Sequence, residues 1–272
     1  MIKKILITLF LLFFLMPITV SAWGPDTHLA IVKEALKDPA VQNSPLKALV
    51  DNNWDACKVG LENPDVSVFF YYTNFVEYAG LHDFNLQQKL AEASTTDRQR
   101  AWAYCYKLHL VADSVSHNFF IPQQIRSTGV PNNIIHPISE LGSDILHRDT
   151  EARTVFAANK EFRSILNNVS GKNWDSEAEL LGSVIGNDGF YQSGGAFVLP
   201  DQGFVNKLKG GVQSASSVLI SEQDSVPFYN QAVKENEQRT GFHILCVGRV
   251  SAIKNQKLLI EAVNILVNQK DI

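Results

Sequence analysis

The chain has 272 residues, 45% of them hydrophobic and 19% charged, with a net charge of −4. That length can bury one substantial core, and an acidic balance excludes a broad, nonspecific nucleic-acid surface, which would want a basic face. Residues 1–22 read as a signal peptide. Lys3 and Lys4 make a positive start, residues 5–16 form an apolar run too short to span a bilayer, and Pro17 breaks it. Val20-Ser21-Ala22 puts small residues where signal peptidase cuts. No cysteine follows to suggest a lipoprotein anchor, and no later segment is long and apolar enough to be transmembrane. The mature protein is expected to be exported, secreted or periplasmic. Removal of the leader takes away two lysines and leaves 250 residues, 22 basic against 28 acidic, net −6.

Cleavage makes Trp23 the N-terminus. Trp23-Gly24-Pro25-Asp26-Thr27-His28 opens a helix with apolar positions Leu29, Ile31, Val32, Ala35 and Leu36, and Thr27 or Asp26 is expected to cap it. A free N-terminal amine has a pKa near about 8 and is easily deprotonated by a metal. With the Trp23 carbonyl it would form a five-membered chelate that His28 could complete. Next come Asn63-Pro64-Asp65 and Leu81-His82-Asp83-Phe84, with aromatic-rich residues 66–78 between them; Phe69, Phe70, Tyr71 and Tyr72 read as core. Residues 84–95 are helical in composition, and Thr96 or Asp97 caps the helix expected over 97–120.

That helix carries His109-x3-Asp113-x3-His117. Positions four apart on a helix are offset by about 40°, so the three side chains form one ridge with neighbours roughly 6 Å apart. Imidazole, carboxylate, imidazole is what a zinc site needs, and the two oxygens of Asp113 could bridge two metals. Two satisfied histidines and a solvated aspartate on an amphipathic helix would give the same pattern. Pro122 is expected to stop the helix, with residues 123–133 as a polar loop. His136-x3-Glu140 follows at helical spacing, with Pro137 tolerable in a first turn. His147, beside Arg148 and Asp149, reads as a surface histidine.

Residues 151–168, 175–187 and 203–222 show helical apolar spacing, and residues 186–203 form a glycine-rich loop without a phosphate-cradling pattern. Little strand alternation appears, so the expected class is all-α, a single helical domain over residues 23–239. Residues 242–250 read as a buried strand and 257–267 as a helix, a β-α fragment foreign to a helical bundle. Cys57, Cys105 and Cys246 make no metal-ligand cluster; one disulfide is possible, the pair is open, and Cys105 is expected to serve packing.

With these residues placed, the chain resembles the bacterial zinc-dependent phospholipase C family, in motifs over about residues 23–150 and in helical composition to about 235. The match is one of order and type: mature N-terminal Trp, His, Asp, His, His-x3-Asp, His, His-x3-Glu. The resemblance implies three zinc ions. Trp23, His28 and Asp113 would hold one; Asp65, His82, His109 and a bridging Asp113 a second; His117, His136 and Glu140 the third. The gap between Asp113 and His117 is shorter than in the family's best-known secreted toxins and lecithinases. The activity implied is phosphodiester hydrolysis of phospholipid, with Asp65 orienting or deprotonating the attacking water and with transient contact to a membrane surface. Single-strand-specific zinc nucleases share the cluster and the N-terminal Trp, but resemble a pattern ending in His-x3-Asp where this chain has Glu140. A purely structural cluster in a non-catalytic, envelope-associated binding protein is the alternative from another class. Separately, residues 241–272 resemble the first βα unit of the nucleotide-sugar domain of GT-B glycosyltransferases. Arg249 and Lys254 would there be donor-phosphate contacts, in a truncated fragment without activity.

Overall fold

The computed structural model describes residues 23–70, 74–148, 160–185, 199 and 202–237. These form helices and no strand among the described residues. In chain order they are α1 (Pro25–Ala35), α2 (Pro39–Gln42), α3 (Pro45–Asn52), α4 (Trp54–Glu62), a 3-10 segment (Asn63–Phe70), α5 (Phe75–Leu81), α6 (Phe84–Ala93), α7 (Asp97–Val115), a π turn (Ser116–Phe120), α8 (Ile121–Thr128), α9 (Asn132–Leu146), α10 (Lys160–Ser170), α11 (Asp175–Ile185) and α12 (Gln202–Glu237). The expected leader over 1–22 and the expected strand and helix over 242–267 lie outside the described residues. The chain divides into two compact units, Met1–Ser221 and Glu222–Ile272. No described helix is long and apolar enough to cross a membrane.

Helix α7 is the axis of the first unit. Of the two caps the sequence offers, Thr96 takes the position, in a reciprocal capping box with Gln99. Buried side chains then recur on every side of it, the signature of a helix enclosed by others rather than lying on a surface. One side, with Cys105, Leu108, Val111, Ala112 and Val115, packs into a core with Trp23, Leu29, Ile31, Leu61, Phe120 and Leu208. The other, with Trp102, Ala103, Tyr106 and Leu110, joins Val59, Val66, Leu81, Leu90, Phe162 and Trp174.

Polar bonds fix α7 against the segment before it. Trp102 Nε1 donates to Asn63 Oδ1 at 2.6 Å and Tyr106 Oη to the Leu81 carbonyl at 2.5 Å. Against α4 the backbones come so close that a Cβ on Gly60 would lie 2.2 Å from the Trp102 carbonyl oxygen. Here a disulfide joins Cys57 to Cys105, so Cys105 is half of a cross-link rather than a packing thiol.

Two helix ends and one proline position differ from expectation. Gly24, not Thr27 or Asp26, is the N-cap of α1, because Pro25 takes the first helical position, where its missing N–H costs nothing. Pro122 does not stop the chain's helical course: it sits in the first turn of α8, and the loop shrinks to the residues around Gly129, whose φ of 68° ends that helix. The π turn makes this possible. Its wider bonding runs from the Ile121 N–H to the Ser116 carbonyl, and Asn118 Nδ2 satisfies the Ser114 carbonyl at 2.8 Å, so the helix restarts at the proline. Pro137 falls in the second turn of α9, not the first.

Candidate metal centre

Four of the nine residues singled out from sequence converge around Asp113. Helix α1 brings His28, the 3-10 segment Asp65, the C-terminus of α5 His82, and α7 His109. His28 Nε2 lies 3.2 Å from Asp113 Oδ1. The other oxygen, Asp113 Oδ2, is 3.2 Å from His109 Nε2 and 3.5 Å from His82 Nε2. Asp65 Oδ1 is 3.6 Å from both His82 Nε2 and His109 Nε2. Two sets of three ligand atoms each lie within 4.8 Å of one another: His28, His109 and Asp113, and Asp65, His82 and His109.

These spacings are compatible with a cation site. Two ligands each about 2.05 Å from a tetrahedral zinc are separated by about 3.3 Å, in the middle of the observed range. His28, His109 and Asp113 are almost wholly buried, yet both His28 nitrogens, the Nε2 atoms of His82 and His109 and both Asp113 oxygens make no hydrogen bond. Buried polar atoms without partners are costly, and ones that converge are what a metal would satisfy. The rings are also held from behind. His109 Nδ1 donates to the Leu61 carbonyl at 2.7 Å and His82 Nδ1 to the Tyr78 carbonyl at 3.2 Å. That fixes the tautomer and leaves each Nε2 lone pair facing the cluster, as in zinc sites supported by an outer shell. The His28 and His109 rings stack at 3.9 Å.

The remaining proposed ligands lie close by but in a different geometry. His117 stands on the π turn, and its ring meets that of His136 edge-on at 4.9 Å. His136 Nε2 is 2.6 Å from Glu140 Oε1, and neither of these two buried atoms makes a hydrogen bond. Trp23 is buried, with its ring 5.6 Å from that of Phe120. His147 is half-buried and donates to the Ser143 carbonyl, apart from the cluster.

Charges follow the same division. Burial pushes the Asp113 and Asp65 carboxyls up, but His109 outweighs it, helped by His28 at Asp113 and by His82 and His28 at Asp65; Asp113 is held well below the usual range and Asp65 below it. Glu140 is shifted the other way. Burial, then Asp113, Asp65 and Asp144, push it well above its usual value. Burial and neighbouring His117 depress His136 to about 3, and burial lowers His117.

A cleft of about 350 Å³ opens onto the cluster. Asp113, His82 and His117 line it together with Tyr78, Phe84, Leu110 and Asn118. Tyr78 stacks on His82 at 4.2 Å. Asp144, on the same ridge of α9 as His136 and Glu140, is a site residue that motif reading passed over. It is buried against the start of α1, and the continued spacing of four was its sequence signal. No known protein family matches the chain, and neither does any curated protein or solved structure.

Proposed function

We propose that the protein is an exported zinc-dependent phosphodiesterase whose centre hydrolyses a phospholipid in the manner of a phospholipase C. The observation that carries this reading is Asp113, a buried carboxylate with one oxygen turned to His28 and the other to His109 and His82. A carboxylate so shared suits two cations, and a site for several cations attracts a phosphate ester despite the acidic protein. Zinc in such a site would supply Lewis acidity and would make an attacking water more acidic. Trp23 and His28 would hold one ion with Asp113. Asp65, His82 and His109 would hold a second, and His117, His136 and Glu140 a third. Asp65, whose carboxyl is held down by His109 and then His82, would orient the attacking water and take its proton. Tyr78, Phe84 and Leu110 give the cleft an apolar wall, and among the described residues that line it there is no lysine or arginine. That favours a lipid over a nucleic-acid strand, whose phosphates call for cationic side chains. The disulfide between Cys57 and Cys105 supports export, since such bonds persist in oxidising compartments.

The test is zinc quantification on chain beginning at Trp23, with parallel assays on phosphatidylcholine vesicles, single-stranded DNA and a chromogenic phosphodiester. Diacylglycerol release at a rate abolished by Asp65→Asn is expected. DNA cleavage without lipid cleavage would favour the nuclease reading. Bound zinc without turnover of any of the three would leave a structural centre in a binding protein.

A further inference from the structure

The first turn of α1 carries no cap of its own: Gly24 is the N-cap and has no side chain to offer. Its place is taken from another helix. Asp144 of α9 is 3% exposed, and its Oδ1 accepts both the Thr27 N–H at 3.0 Å and the Thr27 hydroxyl at 2.6 Å. Its Oδ2 lies where a Cβ on Gly24 would come within 1.9 Å, so residue 24 must be glycine for the carboxylate to reach the backbone. The Gly24 carbonyl in turn accepts the N–H groups of Thr27 and His28, both at 3.1 Å. Residues 24–28 are therefore one hydrogen-bonded unit seated on a buried carboxylate. That unit joins two proposed ligands, Trp23 at one end and His28 at the other.

We infer that Asp144 is the positioning residue of the metal site that uses the processed N-terminus: by seating the turn from Gly24 to Thr27 it aims the Trp23 amine and the His28 imidazole at the ion they share with Asp113. This rests on the metal-centre reading above. The same ridge of α9 presents His136, Glu140 and Asp144 at successive steps of four. One helix thus supplies ligands to one ion and the seat for the chain end that serves another. An ordinary inter-helix cap would stabilise α1 whatever group preceded Trp23. A positioning residue matters to metal binding only when the amine of Trp23 is free, and that difference is measurable.

The experiment uses the mature chain beginning at Trp23 and a second chain that retains Ala22, each with and without Asp144→Ala, and reads zinc stoichiometry and affinity by competition with a chromophoric chelator. In the mature chain Asp144→Ala should weaken one zinc by about ten- to a hundredfold, the usual effect of losing an outer-shell partner, and leave the others in place. In the Ala22-retaining chain, where that site is already impaired, the same substitution should change nothing further. Thr27→Val should reproduce part of the loss and Thr27→Ser none, which covers the case where Asp144→Ala does not fold. Full zinc affinity in both Asp144→Ala and Thr27→Val would overturn the assignment. So would equal weakening with and without Ala22, the mark of a purely structural cap. If the unsubstituted mature chain binds no zinc, the metal-centre reading itself fails, a result distinct from either.

Discussion

Replacing Cys57 and Cys105 together by alanine is the sharpest test of how this fold is held. The bond spans 48 positions of sequence and joins α4 to α7, the two helices that touch backbone to backbone at Gly60. In the chain-entropy picture, releasing a loop of that length frees the unfolded chain by about 4 kcal/mol at 25 °C. For a domain of this size each kcal/mol moves the melting temperature by about 2–4 °C, so a fall of roughly 8–16 °C is expected. Urea unfolding should be followed in the presence of a chelator, because bound zinc would add its own stabilisation. The denaturant dependence should steepen as well, since the uncrosslinked chain exposes more surface on unfolding. Reductant added to the unsubstituted protein should produce the same shift. A loss below about 1 kcal/mol, or no effect of reductant, would mean that the cross-link is absent in the molecule or that its loop is already ordered when unfolded.

Other consequences of the centre can be checked by simpler means. Asp113→Asn should disturb two zinc ions and Glu140→Gln one, because the Asp113 oxygens face different imidazoles; equal zinc loss in the two variants would refute the shared carboxylate. In the metal-free protein His136 stays neutral down to about 3, while the unfolded chain takes up its proton near about 6.5. Since the unfolded state binds more protons in that window, stability present above it should fall as pH drops through it, and His136→Asn should flatten that limb in urea titrations at pH 7 and pH 5. An unchanged slope would remove His136 as its cause. Deleting residues 241–272 should leave zinc content unchanged, since the proposed ligands lie between Trp23 and Glu140; a clear drop in zinc would tie the tail to the centre.

The helical class and the facing of His109 toward Asp113 were legible because they depend on spacing, whereas the grouping of His28, Asp65 and His82 with them was an implication of the family resemblance. A step of four on α7 puts His109 and Asp113 on one face whatever surrounds it, and Thr96, one of the two expected caps, starts that helix. What sequence could not supply depends on through-space partners. The carbonyls of Leu61 and Tyr78 orient two imidazoles, and a backbone oxygen has no residue type to recognise. The pairing of Cys57 with Cys105 needs α4 laid against α7. Pro122 misled because a proline ends a helix only if its amide is needed, and the preceding π turn removes that need.

That π turn has a bearing on how such sites can be searched for. A turn with five residues where four would serve adds a phase lag of about one residue, roughly 100°, to everything downstream. His117 and the buried Phe120 are both set within it, and Ile121 and Gln124 of α8 turn inward after it. The number of residues between an aspartate and the next histidine is therefore not fixed by the geometry of the centre, because a helix can absorb a one-residue difference by changing its hydrogen-bond ladder. A search that demands one spacing will overlook chains that reach the same arrangement by another.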